Sequence, residues 1–317
     1  MNIDKITRNV EEIITLEELK ELIEEKRDPS VYVGYEPSGK IHLGHMVTVN
    51  KLIDLKEEGF QVTVLLADLH AYLNEKGTME EVREIAEYNR RCFEALGLKG
   101  ANFVLGSEFQ TEREYVINVL KLARETSLKR ARRSMDEVSR NLENPMVSQM
   151  IYPLMQAIDI ATLGVDVALG GIDQRKIHML AREGLPKLGY NAPICMHTPI
   201  ISGLDGNKMS SSLNNFISVD DGEEEIYSKL KKAFCPPDRV EGNPVMEIFK
   251  YHIFPRFEVV KIERDEKFGG DLEFKNFDEL EKSYLSNEIH PLDLKNSAAR
   301  YLNEIIAPVR ERVKKGW

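Results

Sequence analysis

Val31-Tyr32-Val33-Gly34-Tyr35 runs into Glu36-Pro37-Ser38-Gly39-Lys40 and then into His42-Leu43-Gly44-His45, which opens a helical pattern carried by Met46, Val49, Leu52, Ile53 and Leu55. The apolar run reads as a strand, the proline- and glycine-bearing piece as a turn, and the remainder as a helix. A strand, turn and helix in that order leave unpaired backbone N–H groups and a partial positive charge at the helix start, where an anionic triphosphate can settle. His42 and His45 fall on one side of that start and can donate to phosphoryl oxygens as charge builds on them. Gly44 between them leaves room for a base or ribose to approach. The same motif also serves elsewhere as a structural cap or a crowded packing site.

A second motif, Lys208-Met209-Ser210-Ser211-Ser212, lies between two turn-rich pieces, Ser202-Gly203-Leu204-Asp205-Gly206-Asn207 and Leu213-Asn214-Asn215. It reads as a mobile loop whose Lys208 and hydroxyls, Ser211 among them, could close over phosphates; alone it reads equally as a solvated polar loop. Between the two motifs, apolar runs at Val62 to Leu66, Phe103 to Leu105 and Val165 to Leu169 alternate with helical patterns at about 45 to 58, 78 to 96 and 173 to 184. That alternation predicts an α/β fold with a doubly wound, Rossmann-like parallel sheet. No GxGxxG is present, which disfavours the dinucleotide-binding version.

Ahead of the sheet, Thr15 and Glu18 form a capping box for a helix that Asp28-Pro29 ends. Residues 111 to 150 are helical in pattern and longer than a crossover requires, so they read as an insertion. Asp220-Asp221-Gly222 and Cys235-Pro236-Pro237 punctuate the last third of the chain. A catalytic domain over 1–222 and a smaller, mainly helical domain over 223–317, with a β-like piece near Phe257 to Ile262, is the expected division.

The chain has 317 residues and is 42% hydrophobic, enough for two ordinary cores. Neither a leader pattern nor an apolar run of about 18 residues occurs, so the expected location is the cytoplasm, with no membrane partner. Cys92, Cys195 and Cys235 are widely spaced without a CxxC, which points to buried free thiols rather than disulfides or a metal site. A net charge of −10 argues against indiscriminate nucleic-acid binding, yet Lys129 to Arg133 forms a dense basic cluster, and Arg310, Arg312, Lys314 and Lys315 form another. Either cluster also suits a solvated helix face.

With these motifs in place, the chain resembles a class I aminoacyl-tRNA synthetase, most closely a tyrosyl-tRNA synthetase of the compact archaeal and eukaryotic type. The resemblance rests on Tyr32 to His45, Leu65 to Asn74, Lys129 to Ser134, Tyr152 to Asp159, Gly164 to His178, Lys208 to Ser212 and His290 to Asn296. Leu43 stands where the class usually has isoleucine, and Ser211 where it has a second lysine, leaving more of the pyrophosphate's charge to Lys208.

The resemblance implies tyrosine activation by ATP, its Mg²⁺ carried on the phosphates without a protein metal site, followed by transfer to tRNA(Tyr). His42, His45 and Lys208 would be catalytic, and Gly44, Lys208 and Ser211 would bind ATP. Tyr32 and Asp159 would hydrogen-bond the substrate phenol, while Tyr152, Gln156 and Gln174, with Glu36 nearby, would grip its amino group. Leu65, His70, Phe109, Ile160 and Leu163 would wall the pocket. Arg132, Arg133, Arg175 and Lys176 would meet the acceptor end of tRNA, and Phe268, His290 and Asp293 the anticodon. Residues 111–150 would form a homodimer interface, letting one subunit hold the acceptor stem while the other touches the anticodon. Without the resemblance, Asp159 also reads as a helix cap or surface carboxylate, Tyr32 as core and Asp293 as a helix cap. A tryptophanyl enzyme, an inactive RNA-binding relative and an engineered pocket remain rivals.

Overall fold

The computed structural model describes all residues except 137–143, 145, 208, 210–212, 214 and 314–317. Two compact units emerge, one comprising residues 1–39, 51–90 and 98–199, the other 40–50, 91–97 and 200–317.

In the first unit the chain begins with α1 (Ile3–Thr7) and a short strand, β1 (Glu12–Ile14). Then come α2 (Leu16–Glu25), β2 (Ser30–Tyr35), α3 (Leu43–Glu57), β3 (Gln61–Leu66), α4 (Asp68–Leu73), α5 (Met79–Phe93) and β4 (Asn102–Leu105). Helices α6 (Arg113–Glu125), α7 (Leu128–Ser134) and α8 (Val147–Leu163) precede β5 (Val167–Gly171), α9 (Arg175–Gly184) and β6 (Ile194–Thr198). Strand order is β1-β6-β5-β2-β3-β4, parallel throughout except for the antiparallel edge strand β1. The sheet is therefore mixed rather than purely parallel, and β1 and β6 are additions to the sequence expectation. Chain order reverses between β2 and β5, and the crevice beyond the carboxyl ends of such a pair is where open α/β sheets bind ligands.

The alternation of β2 sends Tyr32 to one face of the sheet, opposite Ala168 in register. Tyr32, Leu65 and Ala168 pack there against Val119 and Leu122 of α6 and Ile158 of α8, in one apolar core. Thr15 caps α2, its hydroxyl accepting from Glu18 N while its own N–H donates to the Glu18 carboxylate. Arg182 of α9 then grips Glu18 with two hydrogen bonds at 2.8 and 2.9 Å. Within the stretch 111–150, the described residues form α6, α7 and the start of α8. Cys92 and Cys195 are buried as expected, whereas Cys235 is only partly so, its thiol 3.3 Å from the Tyr284 hydroxyl.

The second unit holds α10 (Glu223–Lys232), α11 (Pro244–Ile248), a two-stranded ribbon β7 (Val260–Ile262) with β8 (Leu272–Phe274), α12 (Phe277–Leu285) and the long α13 (Pro291–Val313). Leu294, Ala298, Leu302 and Ile306 make a buried stripe along α13. Arg310 is a structural cation, its guanidinium reaching Asn303 Oδ1 at 2.6 Å, and Arg312 pairs with Glu94. Lys314 and Lys315 lie outside the described residues.

Asp166 fixes the register of the two central strands. Its carboxylate accepts from Ser30 N and Ser30 Oγ, both at 2.7 Å, and from Lys26 Nζ at 2.7 Å. Partial burial works against its charge, but the hydrogen bonds from Lys26 and Ser30 prevail and hold it below the usual carboxylate range. This stabilisation is present above the unfolded pKa and is lost as pH falls through the folded one. Asp166→Ala is expected to lower stability by about 1–3 kcal/mol in urea titrations at neutral pH, with the difference from the parent shrinking in acid. An equal loss at all pH values would contradict the ionic part of this account.

Candidate active site

The first unit carries a buried polar cluster within its apolar core. Asp159, on α8, is 0% exposed. Its Oδ1 accepts from Gln110 Nε2 at 2.8 Å and from Tyr115 Oη at 2.7 Å. Its Oδ2 has no hydrogen-bond partner among the described residues; His70 Nε2 is 3.7 Å away, too far for a bond. The Tyr32 hydroxyl is likewise buried without a partner. Burial raises the Asp159 carboxyl to about 7 despite the donors from Gln110 and Tyr115. Burial, with the Asp159 charge adding to it, drives the Tyr32 phenol far above its ordinary range, against a pull from the Gln156 side chain. Two hydroxyl-seeking atoms thus lie buried and, among the described residues, unpaired, a costly arrangement unless a ligand completes it.

His70 takes part in the same network, alongside its place near the apolar walls. Gln110 Nε2 can only donate, so the His70 Nδ1 at 3.2 Å accepts and the ring proton sits on Nε2, facing Asp159. Burial lowers His70 to about 4, over the opposing pull of the Tyr152 backbone and Asp68, so the ring is neutral. The Tyr152 ring meets His70 edge-on at 4.5 Å, and its hydroxyl donates to Glu36 at 3.3 Å. Asn74 and Lys76 hold the Glu36 carboxylate from the other side. Gln156 Nε2 donates to Gln174 Oε1 at 3.2 Å. Leu65 and Ile160 belong to the core cluster around Tyr32, and Phe109 and Leu163 pack against it.

Gln110 and Tyr115 escaped the sequence reading. Tyr115 opens an apolar stripe with Val119 and Leu122 on α6 and is only 4% exposed; a tyrosine so placed needs a hydroxyl partner, and that was the available signal. Gln110 left none, since a turn glutamine gains its partner only through tertiary folding.

Arg132 and Arg133 project from α7, and Arg175 and Lys176 begin α9, which packs against α7 where Ser134 Oγ donates to Lys176 O at 3.4 Å. The basic residues expected at an acceptor end are thus gathered on two adjacent helices. Arg175 Nε contacts both oxygens of Glu12, at 3.0 and 2.8 Å, and Glu12 in turn meets His197, which meets the buried His178. Lys176 pairs with Asp136 at 3.5 Å.

In the second unit, the start of α3 carries the histidine motif. Gly44 N donates to His42 Nδ1 at 3.1 Å, and His42 N donates to His45 Nδ1 at 3.2 Å. Both δ nitrogens therefore accept, which puts both ring protons on Nε2. The rings lie 3.9 Å apart, and His42 leans on Phe216 at 5.2 Å. A Cβ at Gly44 would come within 2.9 Å of the His42 ring, so only glycine fits there. Lys208 and Ser211 lie outside the described residues. Phe268 stands exposed on the turn beyond β7 with Lys267 Nζ 4.9 Å over its ring. Arg264 ties that turn to the approach to α13 through Glu288 O at 2.6 Å. His290 Nδ1 accepts from Leu292 N, so the histidine rather than Asp293 caps α13, and Asp293 lies in its first turn.

A sheet whose chain order reverses at its centre, parallel but for one edge strand, defines a Rossmann-like α/β fold of the class I type. The family model of the class I tRNA synthetases (W and Y) matches residues 24–307, and the chain belongs to that family, within its tyrosyl branch. It is 65% identical over 311 residues to the tyrosine--tRNA ligase of Methanococcoides burtonii, covering 98% of both chains. The tyrosyl-tRNA synthetase of Archaeoglobus fulgidus, solved in complex with L-tyrosine, superposes with a TM-score of 0.97 at 63% identity and 98% coverage of each chain. The tryptophanyl-tRNA synthetase of Aeropyrum pernix K1 shares the fold, with a TM-score of 0.76 at 24% identity, over 94% of this chain and 82% of that one.

Burial lowers His42 to about 4, and burial with the neighbouring His42 takes His45 well below its usual value. Both rings are expected to remain neutral and Nε2-protonated from about pH 5 to about pH 8. Ring nitrogen chemical shifts would check this, and an imidazolium signal from either at about pH 6 would overturn it.

Proposed function

We propose that this chain joins tyrosine to tRNA(Tyr) in two steps, with the tyrosine side chain held in the Asp159 pocket. The observation that carries the pocket assignment is the pair of buried atoms without a partner among the described residues, Tyr32 Oη and Asp159 Oδ2, and Leu65, Phe109, Ile160 and Leu163 of the core around Tyr32 are assigned to its walls. A phenol supplies both a donor for the carboxylate and an acceptor for the Tyr32 hydroxyl, whereas a phenyl ring strands both. Glu36, Tyr152, Gln156 and Gln174 are linked by hydrogen bonds in two pairs and suit the amino group.

In the first step the tyrosine carboxylate attacks the α-phosphorus of ATP and pyrophosphate leaves, giving tyrosyl-adenylate. The neutral rings of His42 and His45 donate hydrogen bonds from Nε2 to the phosphate oxygens, and the dipole of α3 adds to the positive field. The residues there fit a triphosphate, and Mg²⁺ carried on it would neutralise part of its charge. Lys208 and Ser211 are assigned to the same phosphates on the sequence motif alone. In the second step a ribose hydroxyl of the terminal adenosine of tRNA attacks the adenylate, releasing AMP.

Arg132, Arg133, Arg175 and Lys176 are assigned to the acceptor end, where their charges suit backbone phosphates. Phe268 offers a stacking face, and His290 and Asp293 offer polar contacts to anticodon bases within a binding domain over 223–317. The exposed Val116, Ile117 and Leu120 of α6, with Leu128 and Ile151, support a homodimer through the inserted helices. No helix among the described residues is long and apolar enough to cross a membrane. An enzyme that charges tRNA works where translation does, and the cytoplasm is the proposed location.

ATP–pyrophosphate exchange with tyrosine, phenylalanine and tryptophan tests the reading: only tyrosine is expected to drive it, and Asp159→Ala is expected to narrow its advantage over phenylalanine. Exchange driven by tryptophan alone would reject it. Asp293→Ala is expected to cut tRNA charging by about tenfold or more, as loss of one base contact does, while leaving exchange intact. Charging at the parental rate would remove Asp293 from recognition.

A further inference from the structure

Tyr115 and Gln110 touch the same oxygen of Asp159. Tyr115 has one proton and two acceptors within reach, Asp159 Oδ1 at 2.7 Å and Met155 O at 3.0 Å. The shorter, charged acceptor wins it. Gln110 delivers a second proton to the same Oδ1. Its amide lies over Gly106, where any Cβ would run into it, so glycine leaves the room the amide occupies. Both donors converge on Oδ1 and neither touches Oδ2.

We infer that Tyr115 and Gln110 are positioning residues that saturate Asp159 Oδ1, so that the carboxylate meets the substrate ionised and with Oδ2 alone open to the phenol. The inference rests on the tyrosine-pocket reading and deepens it: part of the selection for a hydroxyl is made by residues that face the far side of the carboxylate. A carboxyl that took up a proton on Oδ2 would offer the phenol a donor in place of an acceptor.

The ionisable groups facing Asp159 are Tyr32 from β2, His70 from α4, Tyr115 from α6 and Tyr152 from α8 itself. The three tyrosines are held far above neutrality, each chiefly by burial, and His70 is neutral above about 4. Near neutral pH the carboxyl is therefore the group among them that titrates, and the protonated form is the inactive one. The donors from Gln110 and Tyr115 both pull its pKa down, so removing either moves it up.

The test is kcat/KM for tyrosine in ATP–pyrophosphate exchange, from about pH 6 to about pH 9.5, for the parent, Tyr115→Phe and Asp159→Asn. The parent is expected to show an acid limb, and Asp159→Asn to lose it. Tyr115→Phe is expected to shift the limb upward by about one unit, giving about a tenfold loss below it that is recovered at the alkaline end. The change should fall on KM more than on kcat. A limb abolished by Asp159→Asn but unmoved in Tyr115→Phe overturns the inference and leaves the pocket reading standing. A limb that persists in Asp159→Asn overturns the pocket reading itself. Should Tyr115→Phe fail to fold, Gln110→Met removes the other donor and must move the limb in the same direction.

Discussion

Everything specific in the first unit depends on one buried carboxylate that the protein satisfies on a single side. Removing an ion from water costs several kcal/mol unless charge-assisted hydrogen bonds replace its hydration. Asp159 receives two such bonds on Oδ1 and none on Oδ2. The elements around it are arranged accordingly: α6 brings Tyr115, the turn before it brings Gln110, α4 brings His70, and β2 brings a phenol with no partner among the described residues. A core packed for stability alone would have replaced this cluster with hydrocarbon.

The sheet explains why these groups come together. In β2 the period of two places Tyr32 on the face that α6 and α8 cover, with Val31 and Val33 on the other. Because chain order reverses between β2 and β5, the turns after these two strands diverge and leave a crevice between them. The β5 turn supplies Gln174, whose carbonyl accepts from Gln156. The β2 turn supplies Glu36 and then runs on to His42. Backbone geometry, rather than neighbouring charges, sets the chemistry of the histidines: the N–H of Gly44 and that of His42 occupy the two δ nitrogens.

The strands β2, β3, β4 and β5 were legible because their apolar runs are bounded by turn formers, and α2 because Thr15 and Glu18 cap it. β6 was not: Ile194-Cys195-Met196-His197-Thr198 is buried along its whole length, so it lacks alternation, and its histidine reads as polar. β1 is three residues long and exists as a strand only through pairing with β6. Tyr32 and Asp159 could be placed from motif resemblance, whereas Gln110 and Tyr115 could not: Gln110 belongs to no recognisable local pattern, the apolar stripe of Tyr115 says only that its hydroxyl needs a partner, and they reach Asp159 across 49 and 44 positions of sequence. His70 was legible as a pocket residue, but its polar role depends on Gln110, which only the fold reveals. Capping by His290 was obscured for a related reason, because Asp293 is the better N-cap by type while the ring nitrogen is the better placed.

Burial is put to opposite uses at the two sets of functional residues. At Asp159 it lifts a carboxyl to about 7, close enough to neutrality that the number of donors around it decides whether it is charged. At His42 it lowers an imidazole to about 4, far enough that the ring stays a neutral donor across the physiological range. A histidine that titrated near neutrality would change its charge with the medium, and its hold on a phosphate with it. A carboxylate without its two donors would be neutral and could no longer distinguish a hydroxyl from a hydrogen. Burial therefore serves constancy in one place and discrimination in the other, and the difference lies in whether the surrounding hydrogen bonds oppose it or leave it unopposed.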